Sequence, residues 1–279
     1  FGRPLVYSRD SGFSFVDDPG ELFVPNVSGI TNDGTVVFSG QETNTNDRYR
    51  SYVSGLNRSH TLLEEHDPNL SYYTYGITES GLISGEYAVR DFSLSLGFMG
   101  WNTAGQSLQR ISNVAVRYED DGRLVGFDWN GERGFYQDPG QGRRYVPFSG
   151  ESYSGALQTR LTGEIEFYHQ YPSGDLVHRL WSPDFSSSRE VFRSSTRVAT
   201  FNRRGLAYAW TYNRTDPSLH GFYDEDEGYV ALSQKLSASD FAMLSGGRIV
   251  FDQITDSGTV LFGLRRGSAS YNYLLEPVP

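Results

Sequence analysis

The stretch Ile77-Thr78-Glu79-Ser80-Gly81-Leu82-Ile83-Ser84-Gly85 sets a polar turn closed by glycine between two short apolar runs, and variants of it recur along the chain. The related turns read Ile30-Thr31-Asn32-Asp33-Gly34, Tyr118-Glu119-Asp120-Asp121-Gly122, Arg160-Leu161-Thr162-Gly163 and Phe201-Asn202-Arg203-Arg204-Gly205. Their glycines are spaced 47, 41, 41 and 42 residues apart. A glycine at that point supplies the positive φ that a tight hairpin needs. Short alternating runs bounded by Gly, Asn and Asp predict strands, and helical periodicity is hard to find.

A second hairpin follows each turn. It opens on an aromatic-centred strand, Ser51-Tyr52-Val53, Gly97-Phe98-Met99, Gly134-Phe135-Tyr136, Arg179-Leu180-Trp181 or Gly221-Phe222-Tyr223. Two hairpins per period of about 41 residues make four strands per unit, which is the sequence mark of a β-propeller blade. The expected fold is therefore all-β, one propeller domain over residues 1–279, with six blades favoured and seven as the alternative. The C-terminal unit can be read in two ways: Gly247 keeps the 42-residue spacing, whereas Gly258, in Ile254-Thr255-Asp256-Ser257-Gly258, keeps the pattern. The N-terminal runs Pro4-Leu5-Val6-Tyr7 and Phe13-Ser14-Phe15-Val16 form a hairpin with no first hairpin before it, and are expected to complete the last blade and close the ring.

Composition narrows the function classes. The 279 residues include no cysteine, so disulfide and thiolate chemistry are excluded. The formal net charge of −10 argues against nucleic acid as a partner. No run of about 18 apolar residues predicts a membrane-spanning helix. Lys235 is the only lysine among 24 basic residues, which reads as either a compositional habit or a choice of arginine for bidentate recognition of carboxylate or sulfate.

The turns resemble the HAF repeats of bacterial extracellular proteins, whose pattern runs Ile-Asn-Asp-x-Gly-x-Val-Val-Gly. The C-terminal unit, Ile254-Thr255-Asp256-Ser257-Gly258-Thr259-Val260 through Tyr273-Leu274-Leu275-Glu276-Pro277-Val278-Pro279, matches best; the fourth and fifth units keep little beyond the glycine. Members of that group often continue into a Val-Pro-Glu-Pro sorting signal. The resemblance implies a secreted or surface-attached protein, with a C-terminal anchor trimmed or absent. Ser8-Arg9-Asp10-Ser11-Gly12-Phe13-Ser14-Phe15 resembles the Asp box of sialidase-type propellers, a turn device without catalytic duty.

Chemistry-bearing residues are scattered. Five histidines, His60, His66, His169, His178 and His220, show no helical metal spacing. His169 lies among Tyr168, Gln170 and Tyr171, a neighbourhood suited to proton abstraction beside a uronate carboxylate. His169, Tyr171 and His66 are the catalytic candidates for a polysaccharide lyase. The acidic groups Glu64, Glu65 and Asp67, Asp120-Asp121 and Asp224-Glu225-Asp226-Glu227 would suit a glycoside hydrolase only if two carboxylates stood across a sugar; the last run also allows a structural calcium. No cofactor is expected. The pairs Arg143-Arg144, Arg203-Arg204 and Arg265-Arg266 are candidate contacts for an acidic glycan. Trp181 is a candidate sugar platform, although Trp101, Trp129, Trp181 and Trp210 fall at inequivalent strand positions, which favours packing. The expected function is a polysaccharide or cell-surface glycan binding or scaffold module, with a carbohydrate-active enzyme as the alternative.

Overall fold

The computed structural model describes residues 5–8, 12–15, 22–43, 48–55, 60–90, 94–147, 150–211 and 216–275. Two compact units divide the chain, Phe1–Val146 and Pro147–Pro279. In the first, β1 (Leu5–Ser8) and β2 (Gly12–Phe15) form a two-stranded sheet. Three four-stranded antiparallel sheets follow. These are β3 to β6 (Leu22–Ile30, Val36–Glu42, Tyr49–Ser54, His60–Leu62), β7 to β10 (Leu70–Ile77, Ile83–Val89, Ser95–Trp101, Ser107–Ser112) and β11 to β14 (Val114–Tyr118, Leu124–Asp128, Arg133–Gln137, Arg144–Tyr145).

The second unit holds two more four-stranded sheets. They are β15 to β18 (Tyr153–Thr159, Ile165–Gln170, Leu176–Trp181, Ser188–Ser194) and β19 to β22 (Arg197–Phe201, Ala207–Thr211, Gly221–Asp224, Gly228–Ala231). Two short helices, α1 (Leu232–Lys235) and α2 (Ala238–Leu244), lead into a three-stranded sheet of β23 (Arg248–Ile254), β24 (Val260–Arg266) and β25 (Ala269–Leu275). Every four-stranded sheet is a meander in chain order, as two consecutive hairpins per repeat require. The expected annexation of the N-terminal hairpin by the last blade has no strand pairing behind it among the described residues: β1 pairs with β2, and β25 with β24. Asp10 of the Asp-box-like turn lies outside the described residues.

Six first turns share one geometry. In each, the glycine amide donates to the carbonyl three residues earlier: Gly34 to Thr31, Gly81 to Thr78, Gly122 to Glu119, Gly163 to Arg160, Gly205 to Asn202 and Gly258 to Thr255, at 2.9 to 3.2 Å. All six glycines have positive φ, between 82° and 101°. The sixth turn is thus Gly258, which joins β23 to β24, and the pattern rather than the period locates it. Gly247 instead follows α2, because residues 232–244 fold as helices inserted before β23. Ser237 caps α2 by accepting from the Asp240 amide, a local N-terminal signal that strand-period reading overlooks.

Neighbouring turns are stitched together through their second position. In the first unit the Glu79 carboxylate accepts from the Asn32 amide, at 3.0 Å for Oε2, and Asp120 Oδ1 accepts from the Glu79 amide at 2.8 Å. In the second unit Asp256 Oδ1 accepts from the Arg203 amide at 2.9 Å. An acid at this position satisfies a backbone donor of the preceding turn, so the acidic second residue is a structural clamp.

The core lies between sheets. Val37 and Val53 of one sheet meet Tyr72, Ile83, Tyr87, Met99 and Trp101 of the next, and Phe98 packs with Val114, Val116, Leu124 and Phe135. In the second unit Phe192 meets Ala199, Phe201, Ala207 and Ala209, while Leu232 and Leu244 carry the helices onto Tyr208 and Ile249. Because both faces of a middle strand are covered, β12 reads as an apolar run, Leu124-Val125-Gly126-Phe127. The last strand β10 alternates between half-buried and exposed residues.

Candidate functional site

A polar cleft of about 170 Å³ opens in the second unit at the first turns of the fourth and fifth repeats. The β15–β16 turn contributes Arg160 and Thr162, and the β19–β20 turn contributes Arg203, Arg204 and Gly205. Arg189 of β18 and Leu180 of β17 add one wall, and Asp224, Glu225 and Asp226 from the β21–β22 turn add another. These two first turns are the ones that depart most from the repeat. Arginine stands at Arg160, Arg203 and Arg204 where the other turns carry Thr, Asn, Asp, Glu or Ser.

Arg160 is the innermost cation, only 3% exposed. Its Nε donates to Glu166 Oε2 at 2.8 Å, and its guanidinium lies 4.7 Å from the Phe201 ring centroid. Glu166 is wholly buried and also contacts His178 Nδ1 at 2.9 Å and Gln158 Nε2 at 2.8 Å. Burial alone would raise the Glu166 carboxyl, but the His178 hydrogen bond and the Arg160 charge outweigh it and hold it below the usual carboxylate range. Arg160 Nη2 is buried and has no hydrogen-bond partner among the described residues. Such a donor is an invitation to an acceptor.

The other charges differ in how fully they are engaged. Arg189 donates to Glu225 Oε2 at 2.6 Å and reaches Glu164 at 3.3 Å. Asp224 Oδ1 accepts from the amides of Asp226 and Glu227, fixing the turn that carries the acidic run. No partner for the Arg204 guanidinium or the Asp226 carboxylate is found among the described residues. Four arginines and three carboxylates line the cleft, and Glu166 and Glu164 bond Arg160 and Arg189 from outside that lining.

Of the residues singled out by sequence, Arg203 and Arg204 line this cleft, together with Asp224, Glu225 and Asp226 of the acidic run. His169 sits on β16, completely buried, with Nδ1 3.2 Å from Glu151 Oε1; burial drives its pKa down against the pull of Glu151. That placement leaves the ring no surface at which to meet a substrate. Tyr171, just after β16, is half-buried with the Arg193 guanidinium 5.7 Å from its ring centroid. His66 is exposed and belongs to the first unit, as do Arg143 and Arg144. Arg143 pairs with Asp128 at 2.7 Å, and Arg144 pairs with Asp138 at 2.7 Å and lies over the Tyr136 ring. Trp181 ends β17, 8% exposed and edge-on to Phe185.

Sequence reasoning singles out neither Arg160, Arg189 nor Thr162, and reads Asp224–Glu227 as candidate hydrolase carboxylates or a structural calcium loop. The available signal is internal: the fourth and fifth turns break the repeat. Among the described residues no group of three or more His, Asp or Glu side chains converges as metal ligands, and no helix is long and apolar enough to cross a membrane.

No protein-family model and no curated protein sequence matches the chain. Solved structures do. A prolyl endopeptidase superposes with a TM-score of 0.56 at 13% identity over 95% of this chain, which spans only 43% of that protein's length. The β-propeller domain of the Trilobed protease from Pyrococcus furiosus gives a TM-score of 0.57 at 12% identity, covering 91% of this chain and 82% of that one. A streptogramin B lyase gives 0.51 at 10% identity, covering 94% and 87%. At such identities the likeness bears on architecture alone. The chain has the all-β fold of a β-propeller, shared with domains of peptidases and with lyases.

Proposed function

We propose that the chain is a secreted or cell-surface binding module for acidic polysaccharide, and that the arginine-lined cleft of the second unit is where the glycan is held. The observation that carries this reading is the cleft itself. A buried arginine with an unpartnered donor lines it, two further arginines come from one turn, and carboxylates suited to accept from sugar hydroxyls complete the lining. The resemblance of the turns to extracellular repeat proteins supports the location.

The test is retention of the purified protein on immobilised polygalacturonate, alginate and chondroitin sulfate, with cellulose as the neutral control. Retention on the acidic matrices that weakens with salt is the expected result. Equal retention on cellulose, or none on any matrix, refutes the reading. Appearance of unsaturated product or new reducing ends would replace a binding module by a lyase or a hydrolase.

A further inference from the structure

We infer that the cleft receives one monoanionic sugar unit, a uronate or a sulfate-ester pyranose, with its anionic group against Arg160 and Arg204 and ring hydroxyls donating to Asp226. This rests on the acidic-glycan reading above and adds the size, charge and orientation of what is recognised. Three independent features converge on it.

Size comes first. The cleft measures about 170 Å³, roughly half the ~300 Å³ at which pockets for drug-sized ligands begin. That is room for one ring and its substituents rather than for a bound oligosaccharide. Charge comes second. With Glu166, Glu164 and Glu225 already balancing Arg160 and Arg189, the donors that have no partner among the described residues at Arg160 Nη2 and the Arg204 guanidinium suit a single negative charge. A phosphate monoester, at about −1.5 to −2 near neutral pH, would exceed it and meet repulsion from Asp224, Glu225 and Asp226. Access comes third. Gly205 lines the cleft beside Arg160: a Cβ there would lie 3.1 Å from Arg160 Nη1 and 3.2 Å from Glu225 Oε1. A side chain at this position would crowd the guanidinium, so the glycine keeps the approach clear while also serving the turn.

The partition of charges sets the orientation. Arg189 and Glu225 are bound to each other, and Asp224 holds its own turn together. Arg160 Nη2, Arg204 and Asp226 are left to the ligand. A guanidinium offers parallel donors to two oxygens of a carboxylate or sulfate, and an ionised carboxylate accepts from vicinal hydroxyls.

Binding of methyl glucuronoside and methyl galacturonoside to the intact chain, followed by calorimetry or ligand-observed NMR, tests this. Methyl glucoside, methyl galactoside, glucose 6-sulfate and glucose 6-phosphate complete the series. Saturable binding of a uronoside or of the 6-sulfate is expected, with the neutral glycosides and the 6-phosphate at least about tenfold weaker; which of the two monoanions binds tells carboxylate from sulfate ester. Arg204→Gln and Asp226→Asn change exposed side chains, and each should weaken the bound monoanion by about tenfold without moving the melting temperature. Arg160→Gln should abolish binding, and its melt shows whether it remains folded; the two surface variants decide the matter if it does not. Retention on acidic polymers with no binding of any monoanionic sugar overturns the one-unit site and leaves the glycan-binding reading standing. No retention on any acidic polymer overturns the broader reading. Equal binding of the 6-phosphate, or surface variants that bind as well as wild type, overturns the charge and contact assignment.

Discussion

Glu166→Ala tests whether the charge network behind the cleft is held together as the structure indicates. The carboxylate is wholly buried and contacts Arg160 Nε at 2.8 Å, His178 Nδ1 at 2.9 Å and Gln158 Nε2 at 2.8 Å. Removing it strands the Arg160 guanidinium, itself 3% exposed, with Glu225 at 3.7 Å as its remaining carboxylate among the described residues. Breaking one side of a buried pair costs about 3–5 kcal/mol, most of it the penalty of an uncompensated charge. At roughly 2–4 °C per kcal/mol for proteins of this size class, the melting temperature should drop by about 6–20 °C. The paired change Glu166→Leu with Arg160→Leu should recover most of that loss, because it removes the stranded charge along with its partner. Circular-dichroism melts and urea titrations of the single and double variants supply the measurement. Acid titration adds a sign. The folded-state pKa of Glu166 lies below its ordinary value of 4.5, so its stabilisation is fully present above that value and is lost as pH falls through the folded pKa. Glu166→Gln should flatten that part of the acid limb. A single variant costing less than about 1 kcal/mol, or a double variant costing the sum of both singles, would refute the reasoning.

Further tests address the repeat and the second buried pair. Gly163 has φ 84° and open space where a Cβ would stand, with no atom within 4 Å, so Gly163→Ala should cost only the left-handed backbone penalty of about 1–2 kcal/mol by urea unfolding. Gly126→Ala would place a methyl 2.2 Å from the Ala115 carbonyl oxygen and 2.5 Å from Val116 Cγ1; it should exceed about 4 kcal/mol or abolish folding, and similar losses for the two glycines would contradict this packing. Asp120→Ala removes the acceptor for the Glu79 amide and should cost about 1 kcal/mol, with Asp120→Asn retaining most of the stability in the same titration. Burial lowers the His169 pKa, so stability should fall as pH drops below the unfolded-state value of about 6.5, where the unfolded chain takes up a proton more readily than the folded chain. Urea midpoints measured between about pH 7.5 and 5 should be flatter for His169→Gln, and an unchanged slope would remove His169 from the account.

The strand architecture is legible in the sequence because its signals are local. A glycine that must take positive φ, flanked by apolar runs, marks each first hairpin, and a turn at fixed distance marks the second; Gly34, Gly81, Gly122, Gly163, Gly205 and Gly258 all take the expected conformation. What the period cannot supply is the insertion of α1 and α2, since a spacing rule has no term for added residues. There the turn pattern at Thr255–Gly258 succeeds and the count to Gly247 fails. The site is far less legible. Residue type alone points to His169 and Tyr171, yet β16 turns the His169 ring into the core, and which face a middle strand presents cannot be read when both faces are covered. Arg203 stands out in the sequence as one of a pair of arginines. Its companions Arg160 and Arg189 come from the neighbouring sheet, and only the packing of the two sheets makes them neighbours.

The location of the cleft within the repeat follows from the same backbone accounting that builds it. In the second, third and sixth turns the second residue is acidic and clamps the amide of the turn before it. At the junction of the fourth and fifth turns that duty passes to backbone: the Leu161 amide donates to the Arg203 carbonyl oxygen at 3.0 Å. Once a carbonyl supplies the acceptor, the side chain at the second position is no longer required to be an acid. The fifth turn places arginine there and at the next position, and the fourth opens with Arg160, so this junction does without the acidic clamp and is lined with cations. Departures from an internal repeat are informative when the local structure survives them, as it does here: Gly163 and Gly205 close their turns as the others do. Replacing Arg203 and Arg204 with the Asp-Ser of the sixth turn should therefore leave the fold intact, as read by an unchanged melting temperature, while removing two of the cleft's four arginines and its affinity for acidic sugars. A large loss of stability in that variant would show instead that the arginines are part of the framework.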